Sequence, residues 1–215
     1  MKNLDFHIQT LTKKQDVEAI HRLAVGAFGK DAMSLDLIKL LHWHSRRFVS
    51  LVKDENKNIV GYFAFFVPNQ KLKDEIIQGV TSPEKWLPDD FVIDSSFWQE
   101  KSIYLESIVI LKPSQELKLA LLLSKFMDFL KHKITTHLKN NEEICVLGLV
   151  GSNSGKNLMT NFFNLELVMK GSSRDDEMDL MLGKINLDFI LKTQKKLQVM
   201  EQKLRKRYSI FLSNN

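Results

Sequence analysis

Cysteine is nearly absent from this chain: Cys145 stands alone among 215 residues. That excludes a disulfide framework and a thiolate-built zinc cluster, and makes a reducing cytoplasm the expected compartment. Proline and glycine are scarce, at four and nine, and no linker rich in glycine, proline or serine divides the chain. A single domain of ordinary size is therefore expected. No apolar run approaches the ~18–20 residues of a membrane span, so none is expected. The opening Met-Lys-Asn-Leu-Asp leads into mixed polar residues rather than the apolar segment of a signal peptide. A net basic excess is also missing from most of the chain. The net +5 is concentrated between positions 192 and 207, where seven basic residues oppose only Glu201. A nucleic-acid-binding protein spreads its basic residues over a face or groove among aromatics, so nucleic acid is not an expected partner.

What the chain does contain is a central stretch from Ile103 to Ile134. Ile103, Tyr104, Ile108, Val109 and Ile110 suit a buried pleated strand. Pro113 ends that strand, and Ser114 is placed to cap the helix after it. From Leu117 to Leu130 the helix is apolar on all sides, which belongs in a core rather than on a surface. A strand turning sharply into a helix offers outward-pointing N–H groups to a phosphate.

Phe6 to Thr10 alternates as a short strand. Thr12, with Gln15 three residues on, opens a helix that Gly29 stops. Ser34 caps a second helix. Phe48–Val52 and Ile59–Phe66 form a hairpin about Asp54–Asn58. Val67 to Lys101 is the least regular part, and a span this long between core strands is expected to wrap a site. A polar turn over Lys139–Glu142 precedes the strand Ile144–Val150. The loop Gly151–Gly155 then opens a helix from Lys156 to Phe163. Leu165–Met169 and Met178–Leu182 are further strands. The tail Leu187–Tyr208 is an amphipathic helix with Ile190, Leu197 and Leu204 seven apart, a spacing that permits a homodimer.

This order resembles the GNAT acyltransferase superfamily. Asn58-Ile59-Val60-Gly61-Tyr62-Phe63-Ala64 is similar to that family's polar turn and I-V-G strand entry. Tyr104 to Pro113 resembles its acyl-CoA-binding strand and the following proline. Ile144 to Leu167 resembles its last helical crossover. The resemblance implies an α/β fold with a mixed sheet of six to seven strands flanked by helices. It covers a domain over 1–184, with an extra helix and tail over 185–215. It further implies acetyl-CoA or another acyl-CoA as substrate, no metal, and a small-molecule or protein amine as acceptor.

Acyl transfer to an amine needs a base, a donor for the developing oxyanion and a proton for the thiolate. Glu106 is the candidate base, being a carboxylate inside an otherwise apolar strand; a strand-edge carboxylate paired with a lysine is the other reading. The resemblance implies that backbone groups of Ile108, Val109 and Ile110 serve the acyl carbonyl and pantetheine arm, provided a bulge splays the strand. It places pyrophosphate at Gln115, Glu116, Leu117, Lys118, Leu119 and Ala120, and the cofactor's arm or adenosine at Asn153 and Asn157. Turn and capping roles are the other reading of those asparagines. The turn departs from the family in having no glycine. Glu116 opposes phosphate there, and Lys118 is positioned in sequence to offset it. Where the family keeps a thiolate-protonating tyrosine the chain has Phe162, which has no proton to give. These departures leave a catalytically decayed sensor or protein-interaction module as an alternative. Glu106 and Gly155-Lys156 also resemble features of the RTX toxin-activating protein-lysine acyltransferases. His42 and His44 are two apart on a helix and point to different sides, so they do not form a metal pair. Cys145 reads as strand packing.

Overall fold

The computed structural model describes residues 6–10, 14–29, 32–44, 47–92, 97–138, 142–174 and 177–213. The Thr12 cap and the Lys139–Asn141 part of the polar turn lie outside them.

The hairpin sets the sheet. Asp54 accepts the amides of Asn56 and Asn58 at 2.9 and 2.8 Å, closing the turn between β2 (Arg47–Lys53) and β3 (Ile59–Phe66), which pair antiparallel. β1 (His7–Thr10) adds to the free edge of β2. β4 (Ser102–Ile110) pairs antiparallel with β3. β5 (Ile144–Val150), β6 (Glu166–Met169) and β7 (Asp179–Ile185) complete a seven-stranded sheet in the order β1-β2-β3-β4-β5-β7-β6. β4 and β5 pair parallel, whereas the other neighbours are antiparallel. The mixed sheet flanked by helices is thus what the sequence led us to expect.

A parallel pair needs a crossover, and here it is α5 (Gln115–His137). Its all-round apolar surface has a direct cause. One side lies on the sheet and another lies under α7 (Leu187–Ser213), so Leu117, Leu122, Phe126, Met127 and Leu130 are all buried. α7 runs antiparallel to α5, since Gln194 meets Asp128 at 2.6 Å and Arg207 meets Glu116 at 3.3 Å. Its heptad-spaced Ile190, Leu197 and Leu204 are buried in the chain's own core. A homodimer through this helix would therefore have to use its outer face, where Val199 and Met200 are exposed.

α1 (Lys14–Phe28) and α2 (Leu35–Trp43) cover the opposite face of the sheet, burying Val17, Ile20, Ile38 and Leu41. Ser34 caps α2 as expected, its Oγ accepting the Leu37 amide at 3.3 Å. The segment after β3 is more regular than its sequence indicated. Asn69 caps a helix α3 (Gln70–Gln78), and Gly79 ends it at φ 74°, a left-handed conformation that glycine adopts without strain. Only Leu72 and Ile76 of α3 are buried, too few to make a helical period conspicuous. A short α4 (Phe97–Glu100) precedes β4. Among the described residues, no helix is long and apolar enough to cross a membrane.

Candidate active site

The site begins with one extra residue in β4. Ala64 faces Ser107 across the ladder, but Phe65 faces Leu105, so Glu106 has no counterpart on β3. This is a β-bulge, which places two successive side chains on one face and bends the strand. Ile103 and Leu105 point into the α5 side and Tyr104 into the α1–α2 side. Beyond the bulge, Glu106 and Ser107 both border one chamber on the α1–α2 side. Alternation then resumes, with Ile108 and Ile110 packing toward α5 and Val109 toward the other core.

The bend also opens the sheet. β4 and β5 pair only over Ser102–Tyr104 and Cys145–Leu147, although β4 continues to Ile110 and β5 to Val150. On its other edge β4 stays tight against β3. The Leu111 amide donates to Val60 O at 2.9 Å. A Cβ on Gly61 would lie 3.0 Å from Val109 O, a tight contact that glycine avoids. In an antiparallel pair, backbone groups alternate between the two edges. The amides of Ile108 and Ile110 therefore face away from β3, toward the gap that β5 has left. Ile110 O looks the same way and accepts a hydrogen bond from Gln115 Nε2 at 2.9 Å.

The turn into α5 differs from its sequence reading at two residues. Ser114 sits at φ 59° and makes no side-chain cap, so it shapes the turn through its backbone. Lys118 does not offset Glu116 at the helix mouth. It is 2% exposed, with Nζ donating to Leu111 O at 2.8 Å and lying over the Phe6 ring. Burial pushes this ammonium below its ordinary pKa, and the charge of Asp54 partly opposes that. The cation beside Glu116 is instead Arg207 of α7, a tertiary neighbour 91 residues away in sequence.

The backbone donors of this turn are fewer than the sequence stretch suggested. The amides of Gln115, Glu116 and Leu117 open the helix and have no intrahelical partner. The Lys118 amide goes to Ser114 O, and helical geometry directs those of Leu119 and Ala120 into the helix as well. On the other side of the gap, α6 (Asn153–Asn161) starts where β5 ends, with Ser152 Oγ accepting the Gly155 amide at 3.1 Å. Asn153 and Asn157 are exposed on its first turns. Phe162, at the end of α6, packs edge-on against Phe163 at 4.9 Å.

The chamber beside Glu106 has a volume of about 300 Å³ and lies between α1, α2, the Pro83–Trp86 turn, the middle of β4 and the end of β5. Ser107 Oγ stands 3.1 Å from Tyr62 Oη and 3.5 Å from Glu106 Oε1. Sequence reasoning missed Tyr62, Tyr104, Ser107 and Trp86 as chamber residues. Simple alternation puts Ser107 on the face opposite Glu106, and only the bulge brings them together. The sheet gap and the chamber thus meet at Glu106, one open toward α5 and α6, the other toward α1 and α2.

The fold is similar to those of solved acetyltransferases. The structure of Arabidopsis thaliana NAA60 in complex with acetyl-CoA superposes with a TM-score of 0.54 at 11% identity, covering 85% of this chain and 99% of that one. An acetyltransferase of the GNAT family from Staphylococcus aureus gives 0.52 at 12% identity, covering 85% and 100%. The spermidine/spermine N-acetyltransferase SpeG from Vibrio cholerae gives 0.51 at 15%, covering 87% and 96%. The chain has the GNAT fold. No family model and no curated protein matches its sequence.

Proposed function

We propose that the protein is an acyl-CoA-dependent N-acyltransferase. The observation that carries the reading is the bulge at Glu106. It presents a carboxylate to the chamber and, two and four residues on, two amides to an open gap. Acetyl-CoA, which the Arabidopsis neighbour holds, or another acyl-CoA would lie in the gap between β4 and β5. Its acyl carbonyl would accept from the Ile108 amide, its pantetheine arm would meet Val109 and Ile110, and its pyrophosphate would meet the amides of Gln115, Glu116 and Leu117. Asn153 and Asn157 would flank the arm from α6. The acceptor ammonium would enter the chamber and pass one proton to Glu106. Its nitrogen would then attack the thioester carbon, the N–C bond forming as the C–S bond breaks. The CoA thiolate would take the second proton shed by the nitrogen. Ser107 stands next to Glu106 and Tyr62 next to Ser107, and these hydroxyls would relay protons there, a role Phe162 cannot fill. The single cysteine fits a cytoplasmic setting for this chemistry.

Calorimetric titration with acetyl-CoA and longer acyl-CoAs is the direct test, and absence of binding at high ligand concentration removes the reading. Glu106→Gln keeps the shape and removes the base. It is expected to lower kcat about 10²- to 10⁴-fold with acyl-CoA affinity retained. A second reading, a decayed site that binds without turnover, is favoured by the glycine-free turn with Glu116 at its tip. Acyl-CoA binding with no CoA release for any amine would select it.

A further inference from the structure

We infer that Lys118 is a positioning residue: its buried ammonium fixes the exit of β4, and with it the turn whose amides would receive the donor's pyrophosphate. The ligand rests on the acyltransferase reading, whereas the hold on the turn rests on geometry alone. Lys118 shares its face of α5 with the buried Leu121 and Leu122, and is itself 2% exposed. An ammonium taken out of water is disfavoured unless partners meet it, and a leucine or methionine would fill the same place without that penalty. A particular set of partners meets it here. Leu111 O accepts from Nζ at 2.8 Å, the Phe6 ring lies with its centroid 5.2 Å away, and Asp54 in the hairpin turn adds an opposite charge.

Leu111 is where the sheet lets go of the chain. The register of β3 and β4 ends at Gly61 opposite Ile110, and the Leu111 amide makes one more bond, to Val60 O at 2.9 Å. The Leu111 carbonyl lies past that ladder, and Lys118 Nζ is its partner. Three residues on, Ser114 O accepts the Lys118 amide at 3.2 Å. One residue therefore grips both ends of the turn, with its side chain at Leu111 and its main chain at Ser114. Gln115 Nε2 holds Ile110 O, which steadies the strand before the turn. Between the two grips the backbone reaches φ 59° at Ser114, a left-handed conformation that a non-glycine residue keeps only where its surroundings impose it. The turn has no glycine to adopt that shape freely, so the shape is imposed from beneath, by Lys118. The amides of Gln115, Glu116 and Leu117 follow directly, and their aim depends on where Ser114 is set.

Lys118→Met keeps the unbranched stem and removes the ammonium, and it is expected to fold, since methionine adapts to buried sites. Leu111 O then loses its partner, and kcat/KM for acetyl-CoA is expected to fall at least about tenfold. The fall should lie in the donor's KM, with kcat held within about twofold. S-acetylpantetheine has no pyrophosphate, so parent and variant are expected to use it equally. An equal fall with both donors, or no fall with acetyl-CoA, overturns the inference. Deuterium exchange followed by NMR tests the hold on the turn with no donor present. In the parent chain the Leu111 amide is expected to exchange as slowly as the amides of the β3–β4 ladder, and in Lys118→Met at least about tenfold faster. Fast exchange in the parent, or no change in the variant, overturns the hold on the turn. The two readings thus fail separately. Absence of acetyl-CoA binding in calorimetry, with Leu111 protected in the parent and exposed in the variant, removes only the acyltransferase reading and its ligand. Acetyl-CoA turnover that Lys118→Met leaves unchanged removes only the positioning role.

Discussion

Deleting Glu106 outright is expected to leave the protein folded, whereas deleting Ile108, two residues on, is expected to unfold it. The contrast follows from the ladder. Glu106 is the extra residue of the bulge, with no register position opposite it on β3, so removing it restores a regular strand. Leu105 still faces the α5 core, Ser107 still faces the chamber, and Ile108, Val109 and Ile110 keep their sides. No apolar side chain changes environment, and the half-buried carboxylate is lost along with the hydrogen bond it accepts from Ser107. A stability change within about 2 kcal/mol is expected, the range for a typical single change at a partly polar site. Deleting Ile108 slips the register by one, which reverses every side chain on one side of the cut. Val109, 8% exposed, and Ile110 at least would leave their cores. At about 1.5–3 kcal/mol for a fully buried aliphatic side chain, the reversal of Val109 and of the half-buried Ile110 together costs roughly 2–5 kcal/mol. That is a large fraction of the ~5–15 kcal/mol that holds an ordinary domain together. Urea denaturation followed by circular dichroism reads both variants. Equal destabilisation by the two deletions would refute the bulge, and with it the reason Glu106 and Ser107 share a wall. Acyl transfer by the Glu106 deletion at the parent rate would refute the role of the carboxylate even if the fold survives.

Leu197→Ala removes a 1%-exposed side chain where α7 docks on the core. It is expected to cost about 2–5 kcal/mol in a denaturant melt; a value near zero would mean that α7 is not docked in solution. Asp179 accepts from Lys156 Nζ at 2.9 Å and from the Gly171 amide at 3.0 Å, and the Lys156 bond holds its carboxyl below the ordinary carboxylate pKa. A depressed carboxyl stabilises the fold above its unfolded pKa and loses that effect as pH falls through the folded one. Asp179→Asn should therefore narrow the stability difference between neutral and acidic pH, and an unchanged acid branch would contradict the pairing. Burial pushes the Cys145 thiol above its ordinary pKa, with Lys73 and Lys184 opposing. Alkylation of the native chain at neutral pH should be slower than that of the urea-unfolded chain, and equal rates would place the thiol elsewhere.

The sequence alone determined the elements whose reasons are local. The Asp54 turn, the Ser34 cap, the strand before Pro113 and the apolar helix after it all followed from residue type and spacing, because caps, turns and periodicity act over a few positions. So did Glu106, conspicuous as the one carboxylate among the strand's apolar residues. The tertiary structure decided what depends on partners distant in the chain. A bulge is a mismatch between two strands, and no single strand encodes it. It alone put Ser107 beside Glu106 and turned the Ile108 and Ile110 amides toward a gap. Lys118, which one-dimensional reading set against Glu116, was drawn under the turn to Leu111 O, and Arg207 came to Glu116 because α7 runs antiparallel to α5. Helix α3 was marked by Asn69 and Gly79, but with only two buried residues its period was too faint to stand out. The chamber is likewise a property of packing, since helices, a turn and strands from separate parts of the chain enclose it. Local chemistry specified the parts, and strand register with helix docking specified the site.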